Sequence, residues 1–288
     1  MRDLILGTAI FVPEYGISNS TKTFFEIQGE KLIEDALSLG IKHFDTAPSY
    51  GEAERVLGSL TKSRNDISIS TKVSPEACLD PKIVKRTVMD SLERLGRNEI
   101  EILFLHDENA LLSEHAIELI SELLKLKEEG IYKKLGVSIY TERSLKILRT
   151  KYPEIDVFQV PENICDRRLR NSSLAQVLME DHREYILRSV FLQGLLLMSE
   201  QNIPIELAET KIAVTSVDSC ARDNGLKSLD LCLAYARSIP WCSSIIVGVS
   251  SKEELQEIVN SNSNLPISWE TRIPTISKQL VDPRNWKF

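Results

Sequence analysis

The chain has 288 residues, a net charge of −7, 42% hydrophobic and 27% charged residues, a balance typical of globular proteins with a large core that needs no metal or disulfide staples. The basic residues are scattered, "IYKKLG" being the densest cluster, which excludes the basic stripe of a nucleic-acid groove. The opening "MRDLILGTAIFVPEYG" has too short an apolar run for a signal sequence or a membrane span. Five widely spaced cysteines, none in a C-x-x-C pair, read as free thiols, so a cytoplasmic protein is expected.

In chain order, the strand signal "LILGTAI" is followed by the helical pattern "EKLIEDALSLG", which stops at Gly40. "IKHFD" then precedes the helix "EAERVLGSL", and "ISISTKV" precedes "DPKIVKRTVMDSLERLG", with its Asp-Pro start and Gly96 stop. "EILFLH" leads to "LSEHAIELISELLKLKEEG", for which Ser113 is the predicted N-cap and Gly130 the end. "KLGVSI", "DVFQV" and "YILRSV" follow, then a segment predicted to hold two helices (203–238), and last "SSIIVGV". Eight strands alternating with helices predict parallel βαβ units closed into a (β/α)8 TIM barrel, a single domain over 1–288. A doubly wound open sheet would want a glycine-rich first turn, and no two glycines stand at G-x-G-x-x-G or P-loop spacing.

Chemistry in such a barrel gathers at the C-terminal strand ends. Three successive ends carry Asp45, Lys72 and His106, with Tyr50 just past the first. Singly, each has an ordinary explanation: a turn-forming Asp, a solvated Lys, a scaffold His, a packed Tyr. Their coincidence on strands about 5 Å apart is what those explanations miss. A cationic Lys72 beside Tyr50 would lower the phenol's pKa, Asp45 would keep the lysine charged, and a neutral His106 would orient a carbonyl oxygen. No side chain supplies hydride, so carbonyl reduction there requires a nicotinamide cofactor. His43, His115 and His182 lack such a setting, and no metal site is expected.

"GIKHFDTAPSYG", "ISTKV", "IEILFLH", "KLGVS", "FQVPENICDRR" and "IIVGVSSKEELQEIV" together resemble the aldo-keto reductase superfamily from about Leu6 to Val259. The resemblance implies an NAD(P)H-dependent oxidoreductase acting on a small-molecule carbonyl. It implies Tyr50 as general acid, Lys72 as its partner, Asp45 as counter-ion and His106 as the orienting residue. For the cofactor it implies Thr8 after the first strand, Ser138 and Gln159 at the nicotinamide amide, Ser189 near the pyrophosphate, and Gly248, Ser250, Lys252 and Glu257 around the adenosine end. Two positions depart from the family pattern: Ile139 replaces an asparagine, and Arg188 stands where an aromatic ring stacks on the nicotinamide, a stacking role that its guanidinium is expected to fill. Glu254 occupies the place of an arginine common in NADP-preferring members, which leaves Lys252 as the turn's only cation. NADP(H) is nevertheless favoured over NAD(H), on the family's habit.

The chain ends soon after "VDPRNWKF", so short substrate loops and an open site are expected, with Trp286 either lining that site or anchoring the tail. Two other functions compete with reduction. One is a cofactor-binding regulatory subunit with little turnover, suggested by Ile139 and Arg188. The other is an aldolase-like barrel using Lys72 as a Schiff-base nucleophile, which a counter-ion at Asp45 opposes. No membrane or nucleic-acid partner is expected, and the sequence is silent on oligomeric state.

Overall fold

Side chains alternate faces along a strand, so in a closed barrel every second residue points inward. A computed structural model, describing residues 3–12, 16–17 and 26–286, has eight such strands. They are β1 (Asp3–Gly7), β2 (His43–Asp45), β3 (Ser68–Val73), β4 (Ile100–Leu105), β5 (Tyr132–Ser138), β6 (Val157–Pro161), β7 (Glu184–Arg188) and β8 (Ser244–Val247). Each pairs in parallel with the next, and β8 closes on β1, giving the expected (β/α)8 barrel.

Ile5, Ile102, Phe104, Val157 and Ile186 cluster inside the barrel with Ile246 against them. The intervening Leu6, Phe44, Leu103 and Phe158 join the larger apolar layer beneath the helices. Two residues further along the inward face stand His106 after Phe104, Gln159 after Val157, Arg188 after Ile186 and Gly248 after Ile246. One parity therefore fills the barrel with hydrocarbon below and lines its mouth with polar groups above.

All eight strand signals fall on strands, with differences at the ends. β1 stops at Gly7 because Ala9–Phe11 turn into a 3-10 helix, and β7 stops at Arg188 because Ser189 has φ 61°. The predicted stops at Gly40, Gly96 and Gly130 all have positive φ. The segment before β8 holds two helices, Lys211–Asp223 and Ser228–Arg237. Ser113 does not cap the fourth long helix, which runs Ala116–Glu128. Asp107 accepts from the Asn109 amide at 2.8 Å and starts a short helix, Asn109–Leu112, whose end is Ser113. All five cysteines are free thiols. Among the described residues no helix is long and apolar enough to cross a membrane, and no cluster of three or more His, Cys, Asp or Glu is arranged to hold a metal.

The helix Ala53–Thr61 carries the turn beyond Tyr50, and two features fix it. Its buried Glu54 accepts from Thr71 Oγ1 at 2.6 Å and from Arg94 Nε at 2.7 Å, tying it to β3 and to the helix Val84–Leu95. Gly58 lets the two helices meet backbone to backbone, since a Cβ there would lie 2.4 Å from Arg94 O. Gly58→Ala is therefore expected to destabilise the fold by about 1–3 kcal/mol in chemical denaturation, because backbone rather than a flexible side chain must move.

Candidate active site

The sequence "FDTAPSYG" is a turn with backbone bonds at both ends. Tyr50 N donates to Ala47 O at 3.0 Å, Ala53 N donates to Tyr50 O at 3.1 Å, and Gly51 takes φ 56° to pass Phe11. That turn returns the phenol over the end of β3. Lys72, almost wholly buried there, donates from Nζ to Asp45 Oδ1 at 2.5 Å and to Thr46 O at 2.9 Å. Its ammonium lies 5.1 Å from the Tyr50 ring centroid, and the His106 ring meets the Tyr50 ring edge-on with centroids 6.0 Å apart. The second Asp45 oxygen accepts from Gln159 Nε2 at 2.6 Å, so the carboxylate is held across the barrel mouth from β6.

Burial is the largest influence on Lys72 and opposes its charge, yet Asp45 and then Tyr50 more than offset it and the ammonium is held above its ordinary range. His106 is pushed down to about 4, first by burial and next by the Lys72 charge, so its ring is neutral at physiological pH. Its Nδ1 is buried without a partner among the described residues. The Tyr50 phenol corrects an expectation. Burial raises its pKa, and the pull of Lys72, second in size, offsets this only in part. The proton is thus retained at neutral pH, as an acid requires.

The four groups share one cavity of about 920 Å³ with Ser138, Gln159, Arg188, Ser189, Gly248, Ser250 and Glu257. Gln159 spends its N–H on Asp45, which leaves its carbonyl oxygen for a ligand. At Gly248 an added Cβ would meet nothing within 4 Å, so the strand end leaves open cavity space. Ser189 keeps its φ of 61° with its carbonyl accepting from Asn163 Nδ2 at 3.1 Å.

Two residues expected at the cofactor lie outside this cavity. Thr8 is not part of the cavity wall; its Oγ1 donates to Asp45 O at 3.1 Å and braces β2. Lys252 also lies outside it, with Nζ bound to Asp35 Oδ1 at 2.7 Å. Trp286 anchors the tail, donating from Nε1 to Leu280 O at 2.9 Å. Ile139 is buried in the outer apolar layer, and Arg188 packs on the Tyr140 ring rather than standing free. Sequence reasoning missed Tyr140 and Arg284, both in the wall. Tyr140 follows Ser138 by two residues and could have been found by extending the strand-end rule; Arg284 carries no local signal.

The depressed pKa of His106 makes stability pH-dependent. The unfolded chain binds a proton at His106 below its ordinary 6.5, whereas the folded chain does so only near 4. The stability is therefore present above 6.5 and lost as pH falls towards 4, by about 3 kcal/mol for this group. Urea unfolding should show His106→Gln losing correspondingly less stability than the parent between those limits.

The family model described as "Aldo/keto reductase family" matches residues 3–272. The chain is 29% identical to D-arabinose 1-dehydrogenase of Saccharomyces cerevisiae, over 97% of this chain and 88% of that protein. It is 25% identical to L-glyceraldehyde 3-phosphate reductase of Escherichia coli K12, over 87% and 83% respectively. Its fold resembles holo aldo-keto reductase AKR11C1 from Bacillus halodurans with a TM-score of 0.75, at 20% identity, covering 94% of this chain and 90% of that one. The chain belongs to the aldo/keto reductase family and is an NAD(P)-dependent oxidoreductase.

Proposed function

We propose that the chain reduces an aldehyde or ketone to an alcohol, with Tyr50 as the proton donor. The supporting observation is the Lys72 ammonium, fixed by Asp45 against the Tyr50 ring, beside a neutral His106. When bound, a nicotinamide would supply the hydride that no side chain here can provide. The open space at Gly248, the free carbonyl oxygen of Gln159 and the orphaned His106 Nδ1 fit a ligand of that kind. Ser138 and Gln159 would hold its amide, and Ser189 its phosphates. Tyr50 Oη passes its proton to the carbonyl oxygen while the neutral His106 ring hydrogen-bonds the same oxygen and fixes its direction. Lys72 then carries the positive charge that steadies the phenolate, so it stays protonated and does not act as a nucleophile. The names of the yeast and Escherichia coli relatives point to a small sugar or hydroxyaldehyde as substrate.

The end of the cavity at β8, across the barrel from β4, is acidic. Ser251 Oγ accepts from Glu254 N at 3.2 Å and caps the helix Lys252–Asn260. The Glu254 carboxylate folds back onto Ser250, accepting from its N at 2.7 Å and Oγ at 3.0 Å. The Glu254 carboxylate thus takes both Ser250 donors just before this helix and sets a negative charge where a phosphate would otherwise be welcome. Lys227 in the same wall is paired with Glu257 at 2.9 Å, and Lys252 with Asp35. A ribose diol can donate to such carboxylates, whereas a 2′-phosphate meets like charge, so the geometry favours NAD(H) over the NADP(H) expected from family habit.

Two measurements test these readings. Tyr50→Phe should lower carbonyl turnover by about 10²–10⁴-fold while dinucleotide binding, followed by protein fluorescence, is retained; full activity would remove Tyr50 from the chemistry. In the same titration the parent should bind NADH roughly tenfold or more tighter than NADPH, and Glu254→Arg should narrow the gap. Tighter NADPH binding by the parent would reverse the cofactor assignment.

A further inference from the structure

Five lysine and arginine side chains line the cavity among the described residues: Lys72, Arg188, Arg222, Lys227 and Arg284. Four have a carboxylate partner. Lys72 has Asp45 at 2.5 Å, Arg222 has Asp218 at 2.9 Å, Lys227 has Glu257 at 2.9 Å, and Arg284 has Asp282 at 2.7 Å and Asp107 at 3.1 Å. Arg188 alone has no carboxylate within 4.0 Å among the described residues. Its Nη2 donates to Ile139 O at 2.9 Å and its Nη1 to Ser189 Oγ at 3.2 Å, both neutral acceptors, and its buried Nε has no partner. Asp282 acts on this half-buried guanidinium only from beyond contact, so its charge is partly offset but its flat fork, shaped for a carboxylate or phosphate, meets only neutral acceptors.

The surroundings hold it in place. The Arg188 guanidinium carbon lies 4.2 Å from the Tyr140 ring centroid, and that of Arg284 lies 3.3 Å from the same centroid. Tyr140 is fixed at both backbone ends: its N donates to buried Glu108, and its O accepts from Arg168, which is clamped by two 2.7 Å bonds to Asp166. Two guanidiniums therefore stand on one rigid ring, in the same cavity wall as Tyr50 and His106. Arg284 is already balanced by Asp107 and Asp282, so on this preorganised platform the guanidinium left for an anion is that of Arg188.

We infer that Arg188, supported by Tyr140 and Arg284, binds an anionic group of the carbonyl substrate, so that the preferred substrates are aldehydes or ketones carrying a carboxylate or phosphate near the reacting carbon. The inference rests on the reductase reading and gives it a substrate class. It also replaces the expectation that Arg188 stacks on the nicotinamide.

The test uses matched pairs at saturating cofactor: glyoxylate against glycolaldehyde, and glyceraldehyde 3-phosphate against glyceraldehyde. Loss of a bond to a charged group should cost the anionic member of a pair roughly 10–100-fold in kcat/KM relative to its neutral partner in Arg188→Gln. Arg188→Lys should restore part of that preference. The first pair reads a carboxylate, the second a phosphate, and selective loss in either supports the inference. Equal loss for both members of each pair would mean that Arg188 serves the cofactor or the fold, and would overturn it, as would a parent enzyme indifferent to substrate charge. A binding arm separates this from the reductase reading. Oxalate, which offers no reducible carbonyl, should raise the melting temperature of the parent and not of Arg188→Gln. An oxalate shift without turnover of any carbonyl would uphold the anion site and reject the reductase; turnover without charge preference would do the reverse.

Discussion

A positive charge almost completely withdrawn from water is the constraint around which this barrel mouth is built. Lys72 can remain an ammonium only because Asp45 meets it at 2.5 Å and Thr46 O at 2.9 Å. Removing one partner of such a pair leaves a bare buried ion at a cost of about 3–5 kcal/mol, so the geometry around it is held firmly. Gln159 braces the carboxylate from β6 and Thr8 braces the Asp45 carbonyl from the turn after β1. Glu54 holds Thr71, the residue before Lys72, to the helix that follows Tyr50. Burial first and this charge second keep His106 neutral, and the charge restrains the rise in the Tyr50 pKa that burial causes.

The cavity has two electrostatic characters. On the β2–β4 side the lysine is balanced, and at β7 Arg188 adds a charge with no carboxylate within 4.0 Å among the described residues. At β8 the carboxylates of Glu254 and Glu257 outweigh the cations, which are themselves paired. One end is suited to a neutral, hydroxyl-bearing ligand and the other to an anion beside a carbonyl. Strand parity sets the cationic end, where Arg188 is the inward residue at the end of β7, whereas the acidic end comes from the helix Lys252–Asn260 that follows β8.

The same parity explains what could be read from the sequence. Hydrophobic alternation and turn residues located all eight strands, and the inward positions at their ends included Asp45, Lys72, His106, Ser138, Gln159 and Arg188. What escaped were matters decided by tertiary contact. The direction of the Tyr50 shift depends on how much burial outweighs a nearby charge, which no spacing records. Lys252 reads as a free cation until the helix Glu26–Ser38 brings Asp35 to it. Tyr140 and Arg284 are 144 positions apart and meet only in the fold, and Ser113 lost its capping role to a turn begun by Asp107.

The central claim is that the Lys72 charge acts on the Tyr50 proton. NMR titration of protein labelled at tyrosine Cζ, with Tyr50→Phe to assign the signal, measures this in the parent and in Lys72→Met. The account predicts that Tyr50 gives up its proton at lower pH in the parent than in Lys72→Met. Identical titration of Tyr50 in the two proteins, both shown to be folded, would contradict it.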